Sequence, residues 1–201
     1  MDGTLVQSER LKGKALSEAC SYFGTEVNID IYKAVMGESW EVVTNRFFEY
    51  GKINPDKIEF DKIFKEVYEK LIQDELELSN NIKQLLDNLK INNKKLGVVS
   101  SASLWMVGQI LKKFNLINYF DVVVTKEDVK NHKPNPEAYL FALTKLLLPA
   151  PKVLVFEDSF AGIIAANKSG CDVIAYQHEF NKNHDFCLAE KVISDFDEII
   201  I

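Results

Sequence analysis

The sequence predicts an α/β fold in which a doubly wound parallel sheet carries an inserted helical domain. Two observations predict it. From Leu78 onward, four short apolar runs alternate with helical patterns, which is typical of parallel strands buried on both faces. Residues 9 to about 75, in contrast, show helical periodicity and almost no strand pattern. We therefore expect an α/β core domain at residues 1–9 plus 79–201 and an inserted helical cap domain at residues 10–78.

Three stretches of the inserted segment have helical periodicity. The first, ERLKGKALSEACSYFG at 9–24, has apolar residues on one face and closes at Gly24. The second, WEVVTNRFFEYG at 40–51, closes at Gly51. The third, PDKIEFDKIFKEVYEKLI, starts at Pro55, a residue that suits the first turn of a helix. Together they predict a small helical bundle.

The α/β part begins with the helical pattern NNIKQLLDNLKI at 80–91. Four apolar runs follow, and a helical pattern separates each run from the next. Because strands joined by helices pair in parallel, their crossovers should be right-handed. The predicted strands are KLGVVS at 95–100, DVVVT at 121–125, KVLVFE at 152–157 and DVIAY at 172–176, and the helices between them cover 104–114, 136–147 and 159–170.

The composition excludes several classes of protein. Of the 201 residues, 47% are hydrophobic and 27% are charged, which is typical of a globular chain. The net charge is −6 without a basic block, which argues against binding to nucleic acid or to an anionic membrane. Three cysteines without a CxxC pair favour reduced thiols in the cytoplasm, and no apolar run approaches the ~18 residues of a membrane span. We expect a cytoplasmic monomer whose partner is a small molecule.

Polar side chains follow the predicted strands where each strand ends. In an open parallel sheet, ligands bind at the carboxyl ends of the strands, so these groups should converge at one edge. Acidic groups, hydroxyls and a lysine at such an edge suit the binding of a phosphate beside a divalent cation. The candidates are Asp2, Gly3 and Thr4 in the opening MDGTL, Ser100 and Ser101 after the first run, Lys133 after the second, and Glu157 and Asp158 after the third.

Each of these groups also has a structural interpretation. The Glu157–Asp158 pair fits the N-terminal turn of a helix, where carboxylates are stabilised. The KPNP sequence at 133–136 fits a turn because its two prolines fix two backbone angles. Ser100 fits a helix cap, and MDGTL fits a glycine turn. The occurrence of all four groups in order at the predicted strand ends favours a shared site.

The segments MDGTL, VVSS, KPNPEAY and VFEDSFAGIIAANKSGC resemble, in this order, the four motifs of the haloacid dehalogenase-like hydrolase superfamily. The likeness is to its branch of small phosphatases and β-phosphoglucomutase-like enzymes, and it covers the whole chain. The fourth segment is the most specific. The resemblance implies a Rossmann-like core with an inserted four-helix cap, which the chain enters through SER at residues 8–10.

The resemblance also implies a reaction, the Mg²⁺-dependent hydrolysis of a small phosphorylated metabolite through an aspartyl-phosphate. Asp2 resembles the general acid and base, and its backbone carbonyl is expected to bind Mg²⁺. Asp158 resembles a direct metal ligand, with Glu157 close by or acting through water. The remaining implied contacts are to the phosphoryl group, from Ser100 and Lys133 and secondarily from Thr4 and the Ser101 amide.

The sequence departs from the family pattern at its start. The resemblance places the nucleophilic aspartate one position before Met1, preceded by an apolar strand in the middle of the sheet. We therefore expect the chain to begin at an internal methionine, with about 6–10 residues upstream of it. As written, it is expected to be unstable, inactive or both. The alternative is a natural pseudoenzyme that binds a phosphate or a metal and regulates a partner.

Two positions in the helical segment bear on the substrate. Trp40, which ends GESW, stands where the phosphoglucomutases have an arginine, and Lys12 stands where they commonly have a histidine. Both changes favour a phosphatase over a sugar-phosphate mutase, which stays the second hypothesis. Trp40 also fits simple packing against a neighbouring helix. Lys12 and Arg46 also fit solvated surface charge, and His132 fits loop decoration.

Overall fold

The computed structural model describes residues 1–200, which fall into two compact units. One unit combines Met1–Val6 with the chain from Leu78 onward, and the other is Gln7–Glu77. Among the described residues, none of the helices has the length and apolar character needed to cross a membrane.

The helical unit contains three α-helices and a 3-10 helix, and these represent the four-helix cap that the resemblance implied. The α-helices lie where the periodicity predicted them. Pro55 is a correction, because the third helix starts two residues later, behind an Asp56 side chain that accepts the Glu59 N–H at 3.0 Å. The elements are α1 (Glu9–Ser21), α2 (Trp40–Gly51), α3 (Lys57–Glu75) and the 3-10 helix Ile29–Ala34.

An aromatic row on α3 fills the interior of this unit. Phe60 packs edge-on against Phe48 of α2, with ring centroids 4.7 Å apart. Phe64 stacks on Tyr68 at 5.4 Å and lies 4.5 Å from the Trp40 ring. Such pairs stabilise a core beyond the area they bury, by about 0.5–1.5 kcal/mol each. Helix α1 presents small buried residues to this core, among them Ala15, Ala19 and Cys20.

The second unit alternates strands and helices as predicted, and every strand pair in it is parallel. It adds one strand, β5, that the sequence analysis missed because two of its three residues are exposed and it lacks an apolar run. The elements are α4 (Ile82–Ile91), β1 (Gly97–Val99), α5 (Leu104–Lys113), β2 (Val122–Val124), α6 (Glu137–Leu146), β3 (Leu154–Glu157), α7 (Phe160–Lys168), β4 (Asp172–Tyr176) and β5 (Lys191–Ile193).

The five described strands form two parallel sheets, one of β1 and β2 and one in the order β3, β4, β5. Strands β1 and β3 both line a cavity of about 760 Å³. Its wall is mostly aliphatic and also includes Met1, so it is a large apolar space inside the α/β unit. The other wall residues include Leu85, Leu86 and Leu89 of α4 and Ala142, Leu143 and Leu146 of α6.

Candidate active site

The opening turn of the chain lies in the α/β unit. The Met1 carbonyl accepts N–H bonds from Leu5 at 2.7 Å and from Val6 at 3.2 Å, which closes a tight turn over Asp2 and Gly3. Gly3 has a φ of +65°, a conformation that residues with a Cβ adopt only with strain. The glycine of MDGTL therefore has a backbone role.

Asp2 meets Ser100 from the end of β1. The Ser100 hydroxyl donates to Asp2 Oδ2 at 3.3 Å, across 98 positions of sequence. The same hydroxyl accepts the Ala102 N–H at 3.0 Å, and the Ser100 N–H continues the strand pairing to the Val124 carbonyl at 2.9 Å. The sheet thus holds Ser100 beside the Asp2 carboxylate.

Asp158, directly after β3, contacts the same turn. The Thr4 hydroxyl donates to Asp158 Oδ1 at 3.0 Å, and His178 Nε2 lies 3.1 Å from Oδ2. A Cβ on Gly3 would overlap the Asp158 carboxylate and come within 2.9 Å of His178 Nε2. Only glycine allows this close approach, so the MDGTL turn and the Asp158 carboxylate form one packed site.

Glu157 holds Lys133 through its carboxylate. Its Oε1 accepts hydrogen bonds from the Lys133 ammonium and from the Tyr139 hydroxyl, the latter at 2.6 Å. Its Oε2 accepts from the Ser159 hydroxyl at 3.1 Å. Lys133 also donates to the Val99 carbonyl at 3.2 Å, at the end of β1. The structure therefore gives Glu157 the role of an anchor for Lys133.

Burial and charge act in opposite directions on this anchor. Burial raises the pKa of Glu157, but the Lys133 charge, the charge of the N-terminal ammonium of Met1 and the hydrogen bonds of Lys133 and Tyr139 prevail and hold that pKa at about 2. Burial, followed by the Glu157 charge, raises the pKa of Tyr139 well above its usual value. Glu157 is thus an anion and Tyr139 a neutral donor at physiological pH. A Cβ on Gly162 would overlap the Glu157 carboxylate, which explains the glycine in the first turn of α7.

The oxygen atoms near the opening turn are possible ligands for Mg²⁺. Within residues 1–200, no cluster of three or more His, Cys, Asp or Glu side chains is arranged to hold a metal ion. Mg²⁺ needs less, because one or two protein oxygens suffice when water and a substrate phosphate complete its octahedron. Asp158 is 6% exposed and packs against the turn that contains Asp2. The Asp158 carboxylate and the Asp2 carbonyl fit this requirement.

The other residues predicted to contact the substrate are Ser101, Lys12 and Trp40. Ser101 is exposed after β1. Lys12 and Trp40 belong to the helical unit, where Lys12 pairs with Glu9 at 3.0 Å. Trp40 donates its indole N–H to Asp61 Oδ1 at 2.8 Å and packs on Phe64, so the structural interpretation of this residue has direct support.

Two residues that contact Asp158 were not predicted from the sequence. His178 contacts Asp158, and the fully buried Asn181 donates to the Asp158 carbonyl at 2.9 Å and to the Tyr176 carbonyl at 2.8 Å. Both follow β4. DVIAY is a predicted strand like the other three. The expectation that polar side chains after a strand belong to the site therefore also applies to the loop that follows it.

The chain is similar in sequence and in fold to known proteins. The sequence profile of a family described as haloacid dehalogenase-like hydrolase matches residues 1–176. A phosphorylated carbohydrates phosphatase of Thermotoga maritima is 30% identical over 174 residues, 87% of this chain and 81% of the relative. A fructose-1-phosphate phosphatase, YqaB of Escherichia coli, is 26% identical over 87% of this chain and 92% of its own. The crystal structure of CbbY from Rhodobacter sphaeroides, solved with phosphate, shares the fold with a TM-score of 0.88 at 24% identity, covering 98% of this chain and 92% of that one.

Proposed function

The chain belongs to the haloacid dehalogenase-like hydrolase family, and we propose that within it this enzyme is a Mg²⁺-dependent phosphatase of small phosphorylated metabolites. The observation that carries the proposal is the meeting of four side chains in one unit: Asp2 with Ser100, and Asp158 with Thr4 of the turn that contains Asp2. The two similar phosphatases, named for phosphorylated carbohydrates and fructose 1-phosphate, make sugar phosphates the first substrates to test.

Ser100 and Lys133 bind the phosphoryl oxygens in this proposal. Lys133 projects from the loop after β2 to the end of β1, where it donates to the Val99 carbonyl one residue before Ser100. The buried Glu157 carboxylate holds the Lys133 ammonium in position. A fixed cation beside a hydroxyl stabilises charge that develops on phosphoryl oxygens during transfer.

Asp2 moves the proton. Protonated Asp2 gives its proton to the ester oxygen as the phosphorus–oxygen bond breaks and the alcohol leaves. As a carboxylate it then takes a proton from the water that releases inorganic phosphate. The Asp158 carboxylate and the Asp2 carbonyl would hold Mg²⁺, which when bound supplies positive charge to the phosphoryl oxygens.

The attacking group in this proposal is an aspartate at the end of an additional strand, as the family resemblance implies. The apolar cavity lined by both β1 and β3 supports it, because a parallel strand there would pair with each. The carboxyl ends of parallel strands meet at one edge, so that aspartate would stand beside Ser100 and Asp158. Its oxygen attacks phosphorus, and water later cleaves the resulting acyl phosphate.

The experiment uses an extended protein, defined as the chain preceded by an apolar strand that ends in aspartate. Release of phosphate from fructose 1-phosphate, other sugar phosphates and p-nitrophenyl phosphate is measured with and without Mg²⁺. We expect turnover that needs Mg²⁺ and that Asp158→Ala lowers by orders of magnitude. Asp172→Ala, an exposed carboxylate at the start of β4, is the matched control and should leave the rate unchanged. Equal rates in the two variants would overturn the assignment.

A sugar-phosphate mutase is the second candidate, since the two reactions share the acyl phosphate. Product analysis separates them: a phosphatase accumulates inorganic phosphate, whereas a mutase accumulates an isomeric sugar phosphate. Lys12 and Trp40, in place of the histidine and the arginine expected for the mutase, favour the phosphatase. A pseudoenzyme would bind phosphate without turning over either substrate.

A further inference from the structure

We infer that His178 is a positioning residue for Asp158: it fixes the rotation of that carboxylate toward the Asp2–Gly3–Thr4 turn and so sets the affinity for the metal ion. The inference rests on the proposed function, because it assigns a role toward the same Mg²⁺ site. This role would make the loop after β4 part of the metal site.

The hydrogen bonds of His178 determine which ring nitrogen carries the proton. The Phe180 N–H can only donate, and it points at His178 Nδ1 at 3.1 Å, so Nδ1 is an acceptor. In a neutral imidazole the proton is then on Nε2. Nε2 lies 3.1 Å from Asp158 Oδ2 and donates to it.

The loop is built to hold the ring in this place. Asn181, which is fully buried, accepts the His178 N–H at 2.7 Å through Oδ1. Its Nδ2 donates to the main-chain carbonyls of Asp158 and Tyr176. One amide therefore ties the backbone of His178 to the backbone of Asp158, and the imidazole needs no rearrangement to reach the carboxylate.

Asp158 is consequently held from both of its oxygens. Thr4 donates to Oδ1 and His178 to Oδ2, while Gly3 leaves no room on the adjoining side. A carboxylate has about four lone-pair positions, so two donors fix its plane and leave positions for a cation. Partners that orient a metal-binding carboxylate typically change metal affinity by about 10–100-fold when they are removed. Thr4 likewise orients Asp158 through the hydrogen bond of its hydroxyl.

The test distinguishes the position of the hydrogen-bond donor at residue 178 from the size of the side chain there. His178→Gln places an N–H near the position of Nε2, whereas His178→Asn places one near Nδ1 and cannot reach Asp158. We expect His178→Asn and His178→Ala to weaken Mg²⁺ binding by about 10–100-fold in isothermal titration calorimetry, and His178→Gln to restore most of it. Calorimetry is run on the 201-residue chain and on the extended protein. His132→Ala, an exposed histidine in the same unit, is the control.

Kinetics give a second measurement. In the extended protein, His178→Asn should raise the Mg²⁺ concentration for half-maximal turnover by the same factor, with kcat at saturating Mg²⁺ nearly unchanged. A fall in kcat without a change in Mg²⁺ affinity, or equal affinity in the Asn and Gln variants, would overturn the positioning role while leaving the phosphatase intact. If the parent proteins bind no Mg²⁺ and turn over without it, the metal site in the proposed function fails, and this inference with it.

Discussion

The Thr4 hydroxyl donates a hydrogen bond to Asp158 Oδ1 at 3.0 Å, joining residues 154 positions apart. Both residues are buried, at 6% exposure each. The bond ties the first turn of the chain to the end of β3, and Gly3 lets the two backbones approach. Assembly of this site therefore depends on packing at Gly3 as much as on its charged groups.

Gly3→Ala should disable the site, and Gly24→Ala should not. Both glycines have positive φ, +65° and +87°, so each alanine introduces backbone strain of about 1–2 kcal/mol. Only at Gly3 does the new Cβ also overlap Asp158, because nothing lies within 4 Å of the position at Gly24. Urea unfolding should show a larger loss of stability in Gly3→Ala than in Gly24→Ala, because the overlap adds to the backbone strain, and Mg²⁺ binding should fall only in Gly3→Ala. Unchanged Mg²⁺ binding in Gly3→Ala would contradict the packing described here.

Lys133→Met should destabilise the protein through Glu157. The side chains of Lys133 and Glu157 are 9% and 5% exposed, so removing the cation leaves a buried carboxylate without its counter-charge. Losing one partner of a buried pair costs about 3–5 kcal/mol of unfolding free energy. The double variant Lys133→Met/Glu157→Gln should recover much of this, since glutamine still accepts the Tyr139 hydroxyl. If the double variant is less stable than Lys133→Met, the two residues are not coupled as a pair.

Stability should fall as the pH drops below the ordinary pKa of histidine, in part because of His184. Burial lowers the pKa of His184 from 6.5, and the nearby Asp158 charge only partly opposes this. The unfolded chain therefore takes up a proton before the folded one does, so stability is lost as pH falls through 6.5 and levels off below the folded-state pKa. Urea unfolding from about pH 7.5 to about pH 5.5 measures the slope. His184→Gln should flatten it and the exposed His132→Gln should not; an unchanged slope in His184→Gln would refute this.

The three cysteines should differ in their reaction with iodoacetamide. Cys20 and Cys171 are buried, and burial raises the pKa of Cys20 to about 11 and that of Cys171 above its usual value. Cys187 is exposed, although a hydrogen bond to Asp185 raises its pKa too. Because only the thiolate reacts, mass spectrometry should find Cys187 labelled slowly and the other two only after unfolding. Early labelling of Cys20 would contradict the burial of this residue on α1.

Much of the arrangement could be predicted from the sequence, because parallel strands bring their carboxyl ends to one edge of the sheet whatever the loop lengths. Ser100, Lys133 and Asp158 follow strands in this way, whereas Asp2 follows no described strand and was expected from the MDGTL turn and the family resemblance. This expectation did not give the partners of Glu157. Tyr139 lies inside the apolar pattern of α6, where an aromatic residue is indistinguishable from ordinary core, and its hydroxyl becomes a site group only through packing.

The same limits apply to the fold. Helices and buried strands were predictable because one face or both faces are apolar over several residues. Strand β5 is short and mostly exposed, so its pairing with β4 comes from tertiary packing. Pro55 suited a first helical turn, but the Asp56 carboxylate caps the helix one residue later and moves its start. His178 and Asn181 sit in a loop whose letters carry no periodic pattern.

The most direct test compares two versions of the added strand that differ in one side chain. The extended protein, whose added strand ends in aspartate, is matched with a version whose strand ends in asparagine. Both should unfold at a higher temperature than the 201-residue chain, because either strand fills the cavity lined by β1 and β3.

Only the aspartate version should release phosphate, in the presence of Mg²⁺, from a sugar phosphate. The asparagine version should be slower by at least about a thousandfold, since its strand lacks the attacking carboxylate. Equal rates in the two versions, or turnover by the 201-residue chain as fast as by the extended one, would contradict the proposal that an aspartate at the end of that strand attacks the phosphoryl group.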